Sequence, residues 1–248
     1  MVPVQPLVRL AVLSLLAVLL AGCGGGGGGG GGQTREAADA LPIRDDFEAE
    51  CTWPQEDDET DRLACEDGHY AVVFKDVEKS IAHFIPRRTK TGYTAVAVQA
   101  ETTLLQTPRG DHFAIQGIGC WASARGEPTY GYVFALTTLG DGTQGYMIAR
   151  QDDSDQRLRS SLGLEALVDE EADSSEPVGS PATIRGECRL GEDRVRLALY
   201  IDSKQVATAE DTRGASEISA FVAYGFSAVA TQPRTEVEYD DFLAEEVS

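Results

Sequence analysis

The sequence predicts an all-β sandwich, on three observations. Apolar and polar residues alternate along many short stretches, the period-two signature of half-buried strands. Those stretches are separated by short turns rich in Gly, Asp and Pro. No long stretch past residue 40 carries the spacing of an amphipathic helix, and no internal repeat of roughly 20–50 residues is present. At 248 residues the chain can bury a substantial core, as one large β domain or two small ones.

The elements follow in order. An edge-like strand is expected around Ile43, Arg44, Asp45, Asp46 and Phe47. Residues 70–74 form the next, and residues 81–85 another that Pro86 should end. Residues 94–101 alternate valine with small or polar side chains, as a half-buried strand does. Residues 113–121 and 130–139 follow, and Gly140-Asp141-Gly142 turns the chain back into 146–150.

Residues 152–181 break this rhythm. Leu162 to Leu167 reads as either a helical turn or a ragged strand, and the acidic, Ser/Pro-rich stretch 169–181 reads as an exposed loop. Regular alternation resumes at 182–190 and 194–201. A tight turn at Asp202-Ser203 leads to 204–209, and strands at 220–226 and 235–242 end the series. The last strand is as edge-like as the first, and pairing the two would close a sheet.

The N-terminus has a different character. Arg9 precedes the apolar run 10–20, which is shorter than the roughly 20 residues of a spanning helix. The run ends in Leu20-Ala21-Gly22-Cys23, which resembles the lipobox of bacterial lipoproteins. The resemblance implies residues 1–22 as a cleaved lipoprotein signal peptide. It implies a diacylglycerol (with palmitate among its acyl chains) on Cys23 and a chain held on the extracytoplasmic face of the cell membrane. Gly24 to Gly32 is an unbroken glycine run, so residues 23–40 are expected to be the lipidated Cys and a flexible tether. The folded domain is then 41–248.

Composition narrows the partners. The formal charge is −20, which argues against nucleic acid and against a bare anionic bilayer. The sequence alone gives no oligomeric state. With Cys23 lipidated, Cys51, Cys65, Cys120 and Cys188 remain, and an even number in an exported chain reads as two disulfides. Of the three pairings, Cys51–Cys65 and Cys120–Cys188 are favoured. The first closes a short polar loop and the second joins two predicted strands. The chain has no asparagine, hence no N-glycosylation site. No Cys/His cluster with zinc spacing appears, and no cofactor is expected.

Four motifs in order resemble the concanavalin A-like jelly-roll superfamily of lectins and glucanases. They are Asp45-Asp46-Phe47 followed by Trp53, then Glu66-Asp67-Gly68-His69-Tyr70, then the hairpin 194–207, then Tyr239-Asp240-Asp241-Phe242. The resemblance implies a two-sheet antiparallel jelly-roll sandwich and a glycan as ligand. It also places Trp121, Tyr130, Tyr132, Tyr146 and Tyr224 across a sheet where sugar rings would stack on them, with Arg150 adding hydrogen bonds. Core packing between the sheets is the competing reading of the same aromatics.

Catalytic signals are weak. Glu171 to Glu176 matches the E-x-D-x-x-E motif of the superfamily's glucanases, but its acidic, loop-like flanks mark a chance match. Glu236, Glu238 and Asp240 alternate on one strand, read as the charged face of an edge strand. Glu56, Asp57, Asp58, Glu59 and Asp61 read as a solvated loop, with structural calcium the unassigned alternative. No Ser/His/Asp set and no phosphate loop is present. The expectation is a non-catalytic binding module. A glycoside-active enzyme and a structural or protein-interaction lipoprotein are the alternatives.

Overall fold

The computed structural model describes residues 40–248 apart from 77–81, 124–129, 153–163, 173–177 and 214–219. The signal peptide, Cys23, the glycine tether and Asp173 to Glu176 of the glucanase-like match lie outside the described residues.

Among the described residues the chain forms fifteen strands in two antiparallel sheets. In chain order they are β1 (Ile43–Asp45), β2 (Glu56–Asp57), β3 (Asp61–Glu66), β4 (His69–Phe74) and β5 (Ala82–Tyr93). Then come β6 (Ala95–Leu104), β7 (Phe113–Ser123), β8 (Tyr130–Leu139), β9 (Gln144–Asp152) and β10 (Leu164–Glu171). The last are β11 (Ala182–Leu190), β12 (Val195–Ile201), β13 (Lys204–Asp211), β14 (Ala220–Ala230) and β15 (Thr235–Glu246). One sheet runs β13-β12-β11-β6-β15-β4-β3-β2, with β1 also on β15; the other runs β10-β9-β8-β7-β14-β5. The long-range order is that of a jelly roll.

The strands alternate as the sequence requires. Val96, Val98, Ala100 and Leu104 of β6, Ile184 and Cys188 of β11, and Ile118, Cys120, Tyr132, Phe134 and Ile148 of the six-stranded sheet meet in one buried core. The Cys120–Cys188 disulfide crosses that core from β7 to β11, with Cα atoms 6.7 Å apart. Cys51–Cys65 ties the segment after β1 to β3. Tyr239 pegs the sheets together. Its hydroxyl donates to the Ser227 carbonyl at 2.9 Å and accepts from the Gly117 N–H at 3.3 Å, and burial pushes the phenol far above its ordinary pKa.

The terminal strands pair as expected, with Asp45 opposite Phe242 and Ile43 opposite Ala244. The Asp-Asp-Phe…Trp motif has a physical cause. The Asp45 carboxylate accepts from the Phe47 N–H at 3.0 Å and from the Trp53 indole at 2.9 Å. This seats Trp53 against Phe226 and Phe242, at centroid separations of 4.6 and 4.9 Å. Each such buried side chain contributes about 1.5–3 kcal/mol.

The structure corrects three expectations. Pro86 does not end its strand: β5 continues to Tyr93 and Pro86 sits opposite Gly225. β5 is an edge, where a missing ladder donor is tolerated. Residues 169–171 are not loop but the end of β10, paired to β9 past a bulge at Leu167. β10 is also an edge, so its outer backbone is free of pairing and its side chains can stay polar. β15 is not an edge strand: it lies between β6 and β4, and Glu236, Glu238 and Asp240 are charged because they face away from the core. Arg62 approaches Glu236 at 3.8 Å, while burial pushes that carboxyl up. The Asp202-Ser203 turn takes the left-handed geometry usually given to Asn-Gly, with φ of 49° and 68°.

Candidate functional site

Register decides which side chains face outward from the six-stranded sheet. On β7 the even-numbered residues from Ala114 to Ala122 enter the core, so Ile115, Gly117, Gly119 and Trp121 face away from it. Their neighbours across the strands are Gly131, Val133 and Ala135 of β8, Met147, Ala149 and Gln151 of β9, and Gly225 and Val229 of β14. The result is a strip of small and apolar residues, a second cluster in which Val133, Ala135, Ala149 and Val229 have no exposed surface. Trp121 lies flat across its floor: a Cβ on Gly119 would come within 2.9 Å of the indole ring and one on Gly131 within 2.8 Å of its nitrogen. Glycine at both positions lets the indole lie down, and its residual exposure is 5%.

The other predicted residues face inward. Tyr130, Tyr132 and Tyr224 are buried between the sheets, and Tyr224 packs on Phe242 at 5.7 Å. Tyr146 is half-buried on the same inward side, in an inter-sheet cavity. Arg150 is buried in a charged cluster whose other members the sequence reading missed. Its guanidinium reaches Glu165 of β10 at 3.1 Å and Asp211 of β13 at 3.6 Å. Asp211 also accepts from the Tyr132 hydroxyl at 3.2 Å. Arg213 pairs with Glu165 and approaches Asp211 at 3.4 Å. The Tyr130 ring sits 6.0 Å from the Arg150 guanidinium. Hydrogen bonding by Arg213, aided by Arg150, holds the Glu165 carboxyl below its ordinary pKa. Burial beside Asp211 drives the Tyr132 phenol well up. This cluster joins the six-stranded sheet (β9, β10) to the other (β13), so the predicted sugar-binding arginine works here as a latch. The sequence signal for it was Arg150 at an inward position of a strand, a place a lone charge cannot occupy unpaired.

Among the described residues, carboxylates on the outer strip are confined to one rim. Asp169 and Glu171 are exposed and, with Thr137 and Thr143, line a cavity of about 250 Å³. That rim is Gly145's end of β9, about 20 Å along the strand from the Gln151 end where Trp121 lies. The acidic segment 56–61 is not a solvated loop throughout: Glu56–Asp57 form β2, Asp61 opens β3 and is buried, and Asp58 organises the turn between them by accepting from the Thr60 and Asp61 amides at 2.6 and 3.0 Å. Its bonds to Thr60 and Asp61 lower its pKa to about 2. Lys75 binds Asp57 and the Asp58 carbonyl. Among the described residues no His, Cys, Asp and Glu are grouped so as to hold a metal ion.

No family model matches the chain, and no curated protein matches it. Solved structures do. A variant of alginate lyase Aly36B in complex with alginate trisaccharide aligns over 86% of this chain and all of that one, with 11% identity and a TM-score of 0.54. A prokaryotic β-1,3-1,4-glucanase (lichenase) derived from a mouse hindgut metagenome covers 83% of this chain and 99% of its own at 9% identity and 0.51. A protein of unknown function with a galectin-like fold, from Bacillus subtilis, covers 84% and 97% at 12% identity and 0.51. Together with the strand order they establish a concanavalin A-like jelly roll.

Proposed function

We propose that this chain is an extracytoplasmic lipoprotein, anchored through lipid on Cys23, whose jelly roll binds glycan without cleaving it. The observation that carries the proposal is the outer strip of the six-stranded sheet. There Trp121 lies flat over Gly119 and Gly131 at one end of an apolar face, and no carboxylate stands along its described middle. Two of the similar structures act on polysaccharides, which supports glycan as the ligand class; fold likeness alone is a weak warrant for chemistry.

The compact unit Ala37–Ser248 is suited to the test. At least one of immobilised alginate and mixed-linkage β-glucan should retain it, the neutral β-glucan more strongly because the formal charge of −20 opposes a polyuronate, and Trp121→Ala should reduce retention at least tenfold. Retention of neither polysaccharide, or of both equally by the variant, refutes the proposal.

A second reading, a glycoside-active enzyme, has one observation in its favour. Asp169 and Glu171 point outward from alternate positions of β10 and line one cavity. New reducing ends that disappear in Asp169→Asn would establish it.

A further inference from the structure

The sheets do not meet evenly along the side where β9 and β10 face β12 and β13. At the Asp211 end the charged latch fills the gap. At the Lys204 end a cavity of about 350 Å³ opens between the sheets. Leu136, Tyr146, Ile201 and Val206 form apolar walls, and Asp202 and Lys204 stand at the mouth. Gln116 of β7 lines the inner end. It is 6% exposed, and its Oε1 is fully buried with no hydrogen-bond partner.

We infer that this cavity binds one uncharged, ring-sized polyol end-on, with a ligand hydroxyl donating to Gln116 Oε1. The volume lies near the lower end of the roughly 300–1,000 Å³ range of ligand pockets, enough for a single ring and its substituents. Gln144 and Ser180 also line the cavity, and a buried acceptor that none of these side chains meets calls for an O–H or N–H from the occupant. The walls accept a C–H face, and Tyr146 offers an aromatic one. At the mouth an acid and a base two residues apart offset each other, and the formal charge of −20 disfavours an anion. A neutral polyol satisfies all of these features. The site lies on the opposite side of the six-stranded sheet from Trp121, so it stands or falls separately from the outer strip.

The test uses the full-length lipoprotein in detergent. Methyl β-D-glucopyranoside, methyl β-D-galactopyranoside and myo-inositol are titrated and followed by ligand-observed NMR. At least one should bind saturably, with glucuronate at least tenfold weaker than the corresponding neutral glucoside. Gln116→Leu should weaken the bound probe at least tenfold, and Ala182→Leu, which fills the cavity from β11, should do the same without touching Gln116. Both variants should keep a cooperative melt, and Trp121→Ala should change the affinity less than twofold. Failure of all three probes overturns the inference. So does glucuronate binding as tightly as the neutral glucoside, or binding insensitive to both cavity variants.

Discussion

The two ends of the β9–β13 seam solve one problem in opposite ways. Both must bring an edge of the six-stranded sheet against an edge of the nine-stranded sheet. At one end Arg150, Glu165, Asp211, Arg213 and Tyr132 interlock, and the Asp211 side chain retains 1% exposure. At the other, Gln116 faces a cavity with its carbonyl oxygen unmet. The chain therefore holds the seam rigid by charge at one end and leaves it hollow at the other. A fold that needed only closure would have filled both.

Substitutions at the two ends sharpen the contrast. Asp211→Ala should have the largest effect, because it leaves the Arg150 guanidinium buried with only part of its pairing. Loss of one partner from a buried pair costs about 3–5 kcal/mol, which denaturant unfolding would resolve. A loss below about 1 kcal/mol would mean the latch adds little. Ser203→Gly, in the turn beside the cavity, should stabilise by about 0.5–1 kcal/mol by relieving the left-handed backbone, net of glycine's entropy. Gln116→Leu should be neutral or stabilising by up to about 1 kcal/mol, since it removes an unmet polar atom and keeps the side chain's bulk. A large loss there would show that the glutamine is structural and would erase the difference between the ends.

Acid provides the mildest probe. Glu165 has a folded pKa below its ordinary value of 4.5. Its contribution is therefore complete above that value and is lost as pH falls through the lower folded value. Amide exchange in β10 and the Asp211 end of β13 should accelerate below about pH 4.5, before exchange around the Asp202 turn does. Uniform acceleration at both ends would contradict a localised latch.

Much of the fold was legible because its signals are local. Asp45, Phe47 and Trp53 announced the closing strand pair because one carboxylate serves both an amide and an indole. The disulfide pairing followed from which cysteines lay on strands. β10 was illegible because an edge strand with one paired side tolerates Asp169, Glu170 and Glu171, a composition that otherwise means loop. The site was read less well. Tyr130, Tyr132, Tyr146, Arg150 and Tyr224 all fall on strands, but a one-residue change of register exchanges the two faces of a sheet. Only Trp121 of the predicted set faces outward. Gln116 also carries a signal, a single amide at an inward position of an apolar strand.

A jelly roll that holds a glycan on the outer strip without cleaving it would bind polymer and leave its length unchanged. The most direct test incubates the Ala37–Ser248 unit with alginate and with mixed-linkage β-glucan and follows bound protein and polymer length together. The account predicts Trp121-dependent binding of at least one polysaccharide with its chain length unchanged. Shortening of either polymer, abolished by Asp169→Asn, would contradict it.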